Sequence, residues 1–194
     1  MDTGIIILAA GNSSRLGRPK QLLVFKGKTL IEWTIEAALA TNFKPVVVVL
    51  GAFADQVKEK IPLTVAHIIN DNWSDGMASS IAAGLAEILK HSPDLENLII
   101  TVSDQAYINA TILSALQQKH INTKKGIIAS SYAKTTGTPA LFNKRYFSQL
   151  LSLTGNNGAK SMLKLHDNDV ETVAFAQGNI DIDTETDYHN LINN

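Results

Sequence analysis

Arg15, Lys20 and Asp104 are the residues whose type and setting point most directly to chemistry in this chain. The two cations lie in LAAGNSSRLGRPKQLL, residues 8–23, directly behind the apolar run Ile5-Ile6-Ile7. Glycines such as Gly11 and Gly17 let a backbone turn with positive φ and aim successive N–H groups at one anion, and neighbouring cations add charge. The spacing is neither GxxxxGK[ST] nor GxGxxG, because Gly11 and Gly17 lie six apart and Lys20 follows Gly17 by three. The run is therefore either an ordinary turn with solvated cations or a different kind of phosphate loop. Asp104 follows the apolar stretch Leu98-Ile99-Ile100-Thr101-Val102, so its carboxylate emerges at a strand end, where it holds a hard cation or caps a turn. Asp181 and Asp183 have strand-alternating spacing and point to one side, so either supplies a second carboxylate, while Asp183 alternatively caps a helix starting near Thr184.

A second polar cluster is DNWSDGMASSIAAGL, residues 71–85. Met77, Ile81, Leu85 and Leu89 share one helical stripe and read as core. Gly76, Ser79 and Ser80 would then sit at the helix N-terminus, where free N–H groups and the dipole favour an anion. Ser79 reads as a cap or a ligand contact and Ser80 as a ligand contact, while Trp73 either stacks on a ring or anchors its loop. The histidines 67, 91, 120, 166 and 189 form no paired spacing, and there is no GxSxG elbow.

These residues need strand ends and helix starts to position them, and the chain supplies both. Strand candidates are Ile5 to Leu8, Val46 to Leu50, Val65 to Ile69, Leu98 to Val102, Ile127 to Ser130, Pro139 to Phe142 and Val170 to Phe175. Several are apolar almost throughout, as strands buried on both faces are. Thr29 and Glu32 have capping-box spacing at the start of a first helix; others begin near Met77, Asn109, Lys144, Gly158 and Thr184. The alternation predicts an α/β fold, a three-layer α/β/α sandwich on a mostly parallel sheet. Ligands of such sheets sit beyond the carboxyl ends of the strands.

Composition sets the outer limits. A length of 194 residues fits a single domain, 1–194. Seventeen basic against eighteen acidic residues leave a formal net charge of -1, without the broad positive field that nucleic acid or anionic membranes select. With no cysteine, thiolate metal sites and cysteine nucleophiles are excluded. The start, MDTG, has no basic leader, and its apolar run is far too short to span a membrane, which reads as a cytoplasmic protein.

The run LAAGNSSRLGRPKQLL resembles the LAAGxSxRMGxxKxLL signature of the MobA-like nucleotidyltransferases, especially the molybdenum cofactor cytidylyltransferase (MocA-like) branch. Further stretches match in order: LGAFAD, NDNWSDGMASSIAAGL, SDQAYI, GTPALF, GAKSML and DIDTETDY, across nearly the whole chain. The resemblance implies a Rossmann-like nucleotidyltransferase fold. It implies transfer of a nucleoside monophosphate from an NTP to a phosphorylated acceptor, with Mg²⁺ and release of pyrophosphate. Leu8, Ala9, Ala10, Gly11, Arg15, Lys20, Gly76, Ser80 and Asp104 would contact the nucleotide, and Asp104 and Asp181 the metal.

Charge considerations agree with that chemistry. Attack of a phosphate on the α-phosphorus of an NTP gathers negative charge that Arg15 and Lys20 would offset, with Asp104 completing the catalytic set. The attacking monoester is already largely dianionic, its second pKa being about 6, so no histidine base is needed. LAAG and Gln105 favour the cytidylyl branch, hence CTP, with molybdopterin as acceptor and a molybdoenzyme as a possible protein partner. Three departures touch the acceptor side: Ala106 replaces the proline of DQP, Thr138 the histidine of GHP after Gly137, and Asn156 the acid before GAK. They keep two alternatives open, a transferase acting on a sugar or polyol phosphate, and a cofactor-delivery protein without turnover.

Overall fold

The computed structural model describes residues 2–155, 158–180 and 182–193. In chain order the elements are β1 (Thr3–Ala9), β2 (Val24–Phe25), β3 (Lys28–Thr29), α1 (Leu30–Leu39), β4 (Val46–Leu50), α2 (Ala54–Lys58), β5 (Ala66–Ile69), α3 (Met77–His91), β6 (Asn97–Val102), α4 (Ala110–Thr123), β7 (Ile127–Tyr132), β8 (Thr135–Asn143), α5 (Phe147–Leu151), α6 (Lys160–Leu165), β9 (Val170–Ala174) and α7 (Glu185–Ile192).

Strand periodicity divides the apolar side chains between two faces of one sheet. Ile5 and Ile7 of β1 point to the side covered by Ile31 and Ile35 of α1, Val57 of α2, and Leu113 and Leu116 of α4. Ile6 and Leu8 point the other way, to Ile81, Leu85 and Ile88 of α3, Leu150 of α5 and Met162 of α6. Burying a side chain of this size stabilises by about 1.5–3 kcal/mol, so a strand apolar on both faces is stable only when helices cover both. The expected three layers follow. The sheet order is β5-β4-β1-β6-β8-β7-β9; β8 runs antiparallel to both β6 and β7, and the remaining pairs are parallel.

This order contains a switch point. The chain leaves β1 for β4 and β5 on one side, then returns to place β6 against the other side of β1. Connections to the two sides diverge there, opening a crevice beyond the carboxyl ends of β1 and β6.

Caps fall largely where the sequence places them. Thr29 Oγ1 accepts from Glu32 N–H at 3.4 Å, and Glu32 Oε2 accepts from Thr29 N–H at 2.7 Å, completing the capping box of α1. Asn109 caps α4. Two features were not anticipated from periodicity: the short α2, and the β2–β3 hairpin, whose two-residue strands are too brief to show alternation. Met77 departs from its expected place in the core stripe. Ile81 and Leu85 are buried, whereas Met77 is 43 % exposed, because the first turn of α3 overhangs the crevice instead of the sheet.

Candidate active site

The crevice is a cleft of about 630 Å³ lined by Leu8, Ala10, Gly11, Asn12, Ser14, Arg15, Lys20 and Gln21 from the first loop. Trp73, Ser74, Gly76, Met77 and Ser80 line it from the start of α3, and Val102, Ser103 and Asp104 from the end of β6. The expected nucleotide-contacting residues Leu8, Ala10, Gly11, Arg15, Lys20, Gly76, Ser80 and Asp104 thus converge. Ala9 stands behind the wall, its carbonyl oxygen accepting a hydrogen bond from Gln21 Nε2 at 3.0 Å.

The first loop is held from its back. Leu16 turns inward against Leu23, Phe25, Leu30, Ile182 and Leu191, so α7 braces the loop. Positive φ falls at Ser13 (48°) and Gly17 (73°) and not at Gly11. At Gly11 a side chain would project into open space within the cleft, so glycine there leaves the backbone bare. Gln21 is buried, and its amide nitrogen also donates to the Gly11 carbonyl oxygen at 3.0 Å. Pattern reading missed this residue; its position directly behind Lys20 in the signature was the available signal.

The charges are tightly interlocked. Lys20 Nζ lies 2.5 Å from Asp104 Oδ2 and 3.4 Å from Asp183 Oδ1, and Arg15 Nη2 lies 2.6 Å from Asp183 Oδ2. Burial works against the Lys20 ammonium, but Asp104 and then Asp183 outweigh it and hold its pKa above the ordinary lysine value. Asp183 is therefore a partner of both loop cations, not a cap. Thr184 caps α7, with Oγ1 accepting from Asp187 N–H at 3.2 Å and Asp187 Oδ2 accepting from Thr184 N–H at 2.8 Å. Asp181 lies outside the described residues, as do Asn156 and Asn157.

Start-of-helix geometry at α3 depends on Gly76. With φ 104° and ψ 178°, it occupies backbone space closed to residues with a side chain. Ser79 Oγ donates locally, to the carbonyl oxygens of Asn72 (2.8 Å) and Gly76 (2.9 Å), and accepts from Asn70 Nδ2 (2.9 Å). Ser80 Oγ accepts from the same amide at 3.0 Å and lines the cleft. Trp73 is half-buried, with its Cβ packed over Gly51, where a side chain would clash at 2.7 Å. It combines loop anchoring with a place in the cleft wall.

Gln105 and the segment Gly137-Thr138 belong to a neighbouring region. Gln105 is buried and turns away from the cleft, donating to the carbonyl oxygens of Thr138 (3.0 Å) and Gly178 (3.1 Å). Gly137 and Thr138 line an adjoining cavity of about 370 Å³ that shares Met77 with the cleft and reaches Lys160. Beyond it lies an open groove of about 660 Å³ with Lys134, Lys160 and Lys164 on its rim. None of the five histidines lines the cleft.

A divalent cation fits these residues in a limited way. Asp104 Oδ1 is buried without a hydrogen-bond partner, and a carboxylate at the cleft floor offers the hard oxygen such ions take. Among the described residues no group of three or more acidic or histidine side chains forms a protein cage. The donor set suits an ion completed by substrate phosphates and water.

A doubly wound sheet with this cleft at its switch point defines an α/β protein of the nucleotidyltransferase-like fold. Residues 5–171 match the MobA-like NTP transferase domain, and the chain belongs to that family. Nicotine blue oxidoreductase from Paenarthrobacter nicotinovorans is 33 % identical over 141 residues, 72 % of this chain and 66 % of that protein. The chain thus spans just under two thirds of that relative. The Rv0371c homologue from Mycobacterium sp. strain JC1 is 30 % identical, with a TM-score of 0.86 over 98 % of this chain and 95 % of that one. Rv0371c from Mycobacterium tuberculosis H37Rv is 26 % identical, with a TM-score of 0.87 over 100 % and 98 %. Its complex with manganese superposes with a TM-score of 0.82 at 24 % identity, over 100 % and 99 %. Among the described residues no helix is long and apolar enough to cross a membrane.

Proposed function

We propose that residues 1–194 form one catalytic unit that transfers CMP from CTP to the phosphate of molybdopterin and releases pyrophosphate. The observation that carries this reading is the convergence of Arg15, Lys20 and Asp104 on one cleft at the switch point between β1 and β6. The triphosphate lies along the bare backbone at Gly11, with Arg15 and Lys20 offsetting its charge. The base lies toward Gly76 and Ser80; Ala10 of the LAAG run lines the cleft and supports the cytidylyl branch.

Mg²⁺ held by Asp104, with Asp181 as second ligand, would neutralise the phosphates and steady the leaving pyrophosphate. An oxygen of the acceptor phosphate forms a bond to the α-phosphorus, and the bond from that phosphorus to the bridging oxygen of the β-phosphate breaks. No proton has to be removed from a phosphate dianion, consistent with a cleft without histidine. The acceptor occupies the adjoining cavity at Gly137 and Thr138, with Lys160 at its edge. Gln105 serves there by fixing the Thr138 carbonyl.

The test is pyrophosphate release with Mg²⁺ and CTP, GTP, ATP or UTP in parallel, each with and without molybdopterin. Release requiring CTP and the pterin together is the expected result. Release with another acceptor phosphate overturns the acceptor, and saturable nucleotide binding without release in any pair overturns the transfer.

A further inference from the structure

The charged side chains of the cleft pair with one another. Arg15 and Lys20 are its two basic lining residues, and both are paired with carboxylates, Arg15 with Asp183 and Lys20 with Asp104 and Asp183. Among the described residues these two cations are thus matched by two carboxylates, Asp104 and Asp183. The Lys20–Asp104 pair is also the more sheltered, with side chains 20 % and 15 % exposed, so salt and water screen it less than the rim pair of Arg15.

From this we infer that Lys20 is an exchangeable counterion. Its ammonium is paired with Asp104, and a divalent cation gains that carboxylate as the ammonium moves to the arriving triphosphate, so metal and nucleotide promote one another's binding. The inference rests on the proposed nucleotide and metal roles of Lys20 and Asp104.

Three observations support the exchange. Asp104 Oδ2 is taken by Lys20 while Oδ1 is buried and unpartnered, so an incoming ion meets a carboxylate half engaged by another cation. Like charges on one carboxylate repel, and the ammonium must leave for the ion to bind fully. Leaving requires only the side chain, because the Lys20 backbone is pinned: its N–H donates to Ser13 Oγ at 3.1 Å, and Lys20 opens the 3-10 turn Lys20–Leu22. The ammonium has a destination, since Gly11, Asn12 and Ser14 line the same cleft with no carboxylate among them. By linkage, whatever draws Lys20 off Asp104 tightens metal binding, and bound metal tightens whatever holds Lys20 by the same factor.

The experiment titrates Mn²⁺ into the protein without nucleotide, reading free Mn²⁺ by electron paramagnetic resonance. Wild type, K20M, K20Q and the double variant K20M/D104N are compared, each checked for folding by circular dichroism. K20M binds Mn²⁺ about 10-fold tighter than wild type or better, K20Q shifts in the same direction, and K20M/D104N loses the gain. Equal or weaker binding in both K20M and K20Q overturns the exchange, as does a gain that survives D104N. Wild-type pyrophosphate release is assayed separately: release without the Mn²⁺ gain leaves the transferase reading standing and removes the exchange. A Mn²⁺ gain without release does the reverse.

Discussion

The side-chain amide of Gln21 donates to the carbonyl oxygen of Ala9, the last residue of β1, and by a second hydrogen bond to that of Gly11 two residues on. One buried group therefore sets the exit angle of the first loop from its strand. Replacing it removes both hydrogen bonds. Gln21→Ala should lower unfolding free energy by about 1–3 kcal/mol in urea denaturation and raise the KM for the nucleotide more than it lowers kcat. An unchanged KM would show that the loop keeps its shape without this bond.

Asp104→Ala should lower metal-dependent transfer by about 100-fold or more while the melting temperature moves only a few degrees. The residue follows β6 at the cleft and contributes nothing to the apolar clusters on either sheet face. Circular dichroism melting beside a pyrophosphate assay separates the two effects. Full activity would remove Asp104 from the chemistry.

Leu16→Ala should cost about 2–4 kcal/mol, the usual range for opening a cavity in a small apolar cluster. Leu16 is 8 % exposed and packs on Ile182 and Leu191. Because the same side chain braces the loop carrying Arg15 and Lys20, nucleotide affinity should fall along with stability. Isothermal titration with CTP at a temperature where the variant stays folded tests this second effect.

Asp169 provides a pH prediction remote from the cleft. Burial disfavours its charge, but hydrogen bonds from the Tyr146 hydroxyl (2.5 Å) and the Gly126 N–H (3.1 Å), with the Arg145 guanidinium, prevail and hold its pKa below the ordinary aspartate value. The unfolded chain takes up this proton at about pH 3.9, while the folded chain resists it. The contribution is complete above that pH and is lost as pH falls through the lower folded value. Asp169→Asn should reduce stability at pH 7 and flatten its decline below about pH 4. Parallel slopes in the two proteins would contradict the assignment.

Much of this architecture was readable because burial leaves periodic traces. Ile5 to Leu8 and Val46 to Leu50 are apolar on both faces, and Thr29, Asn109 and Thr184 mark helix starts by cap chemistry. The loop cations and Asp104 were legible for a similar reason, since a strand's end is where its apolar run stops. Relationships across long sequence distances were not legible. The spacing at Asp183 fits a second carboxylate or a cap, and its pairing with Arg15, 168 residues away, leaves no local trace. Met77 fitted the helical stripe, yet the overhang of α3 exposes it. Resemblance links Gln105 to base selection, while its amide nitrogen donates to Thr138 and Gly178.

The brace between the first loop and α7 also has a consequence for synthesis. Arg15 and Arg18 emerge from the ribosome early, but their partners Asp183 and Glu185 follow 168 and 167 residues later. At elongation rates of about 5–20 residues per second, the loop waits roughly 10–30 s for the contacts that hold its outer face. The sheet can assemble during that interval, whereas Arg15 and Arg18 stay without these partners until Asp183 and Glu185 follow. The outer face of the loop is thus tied down late, after all seven strands of the main sheet have been made.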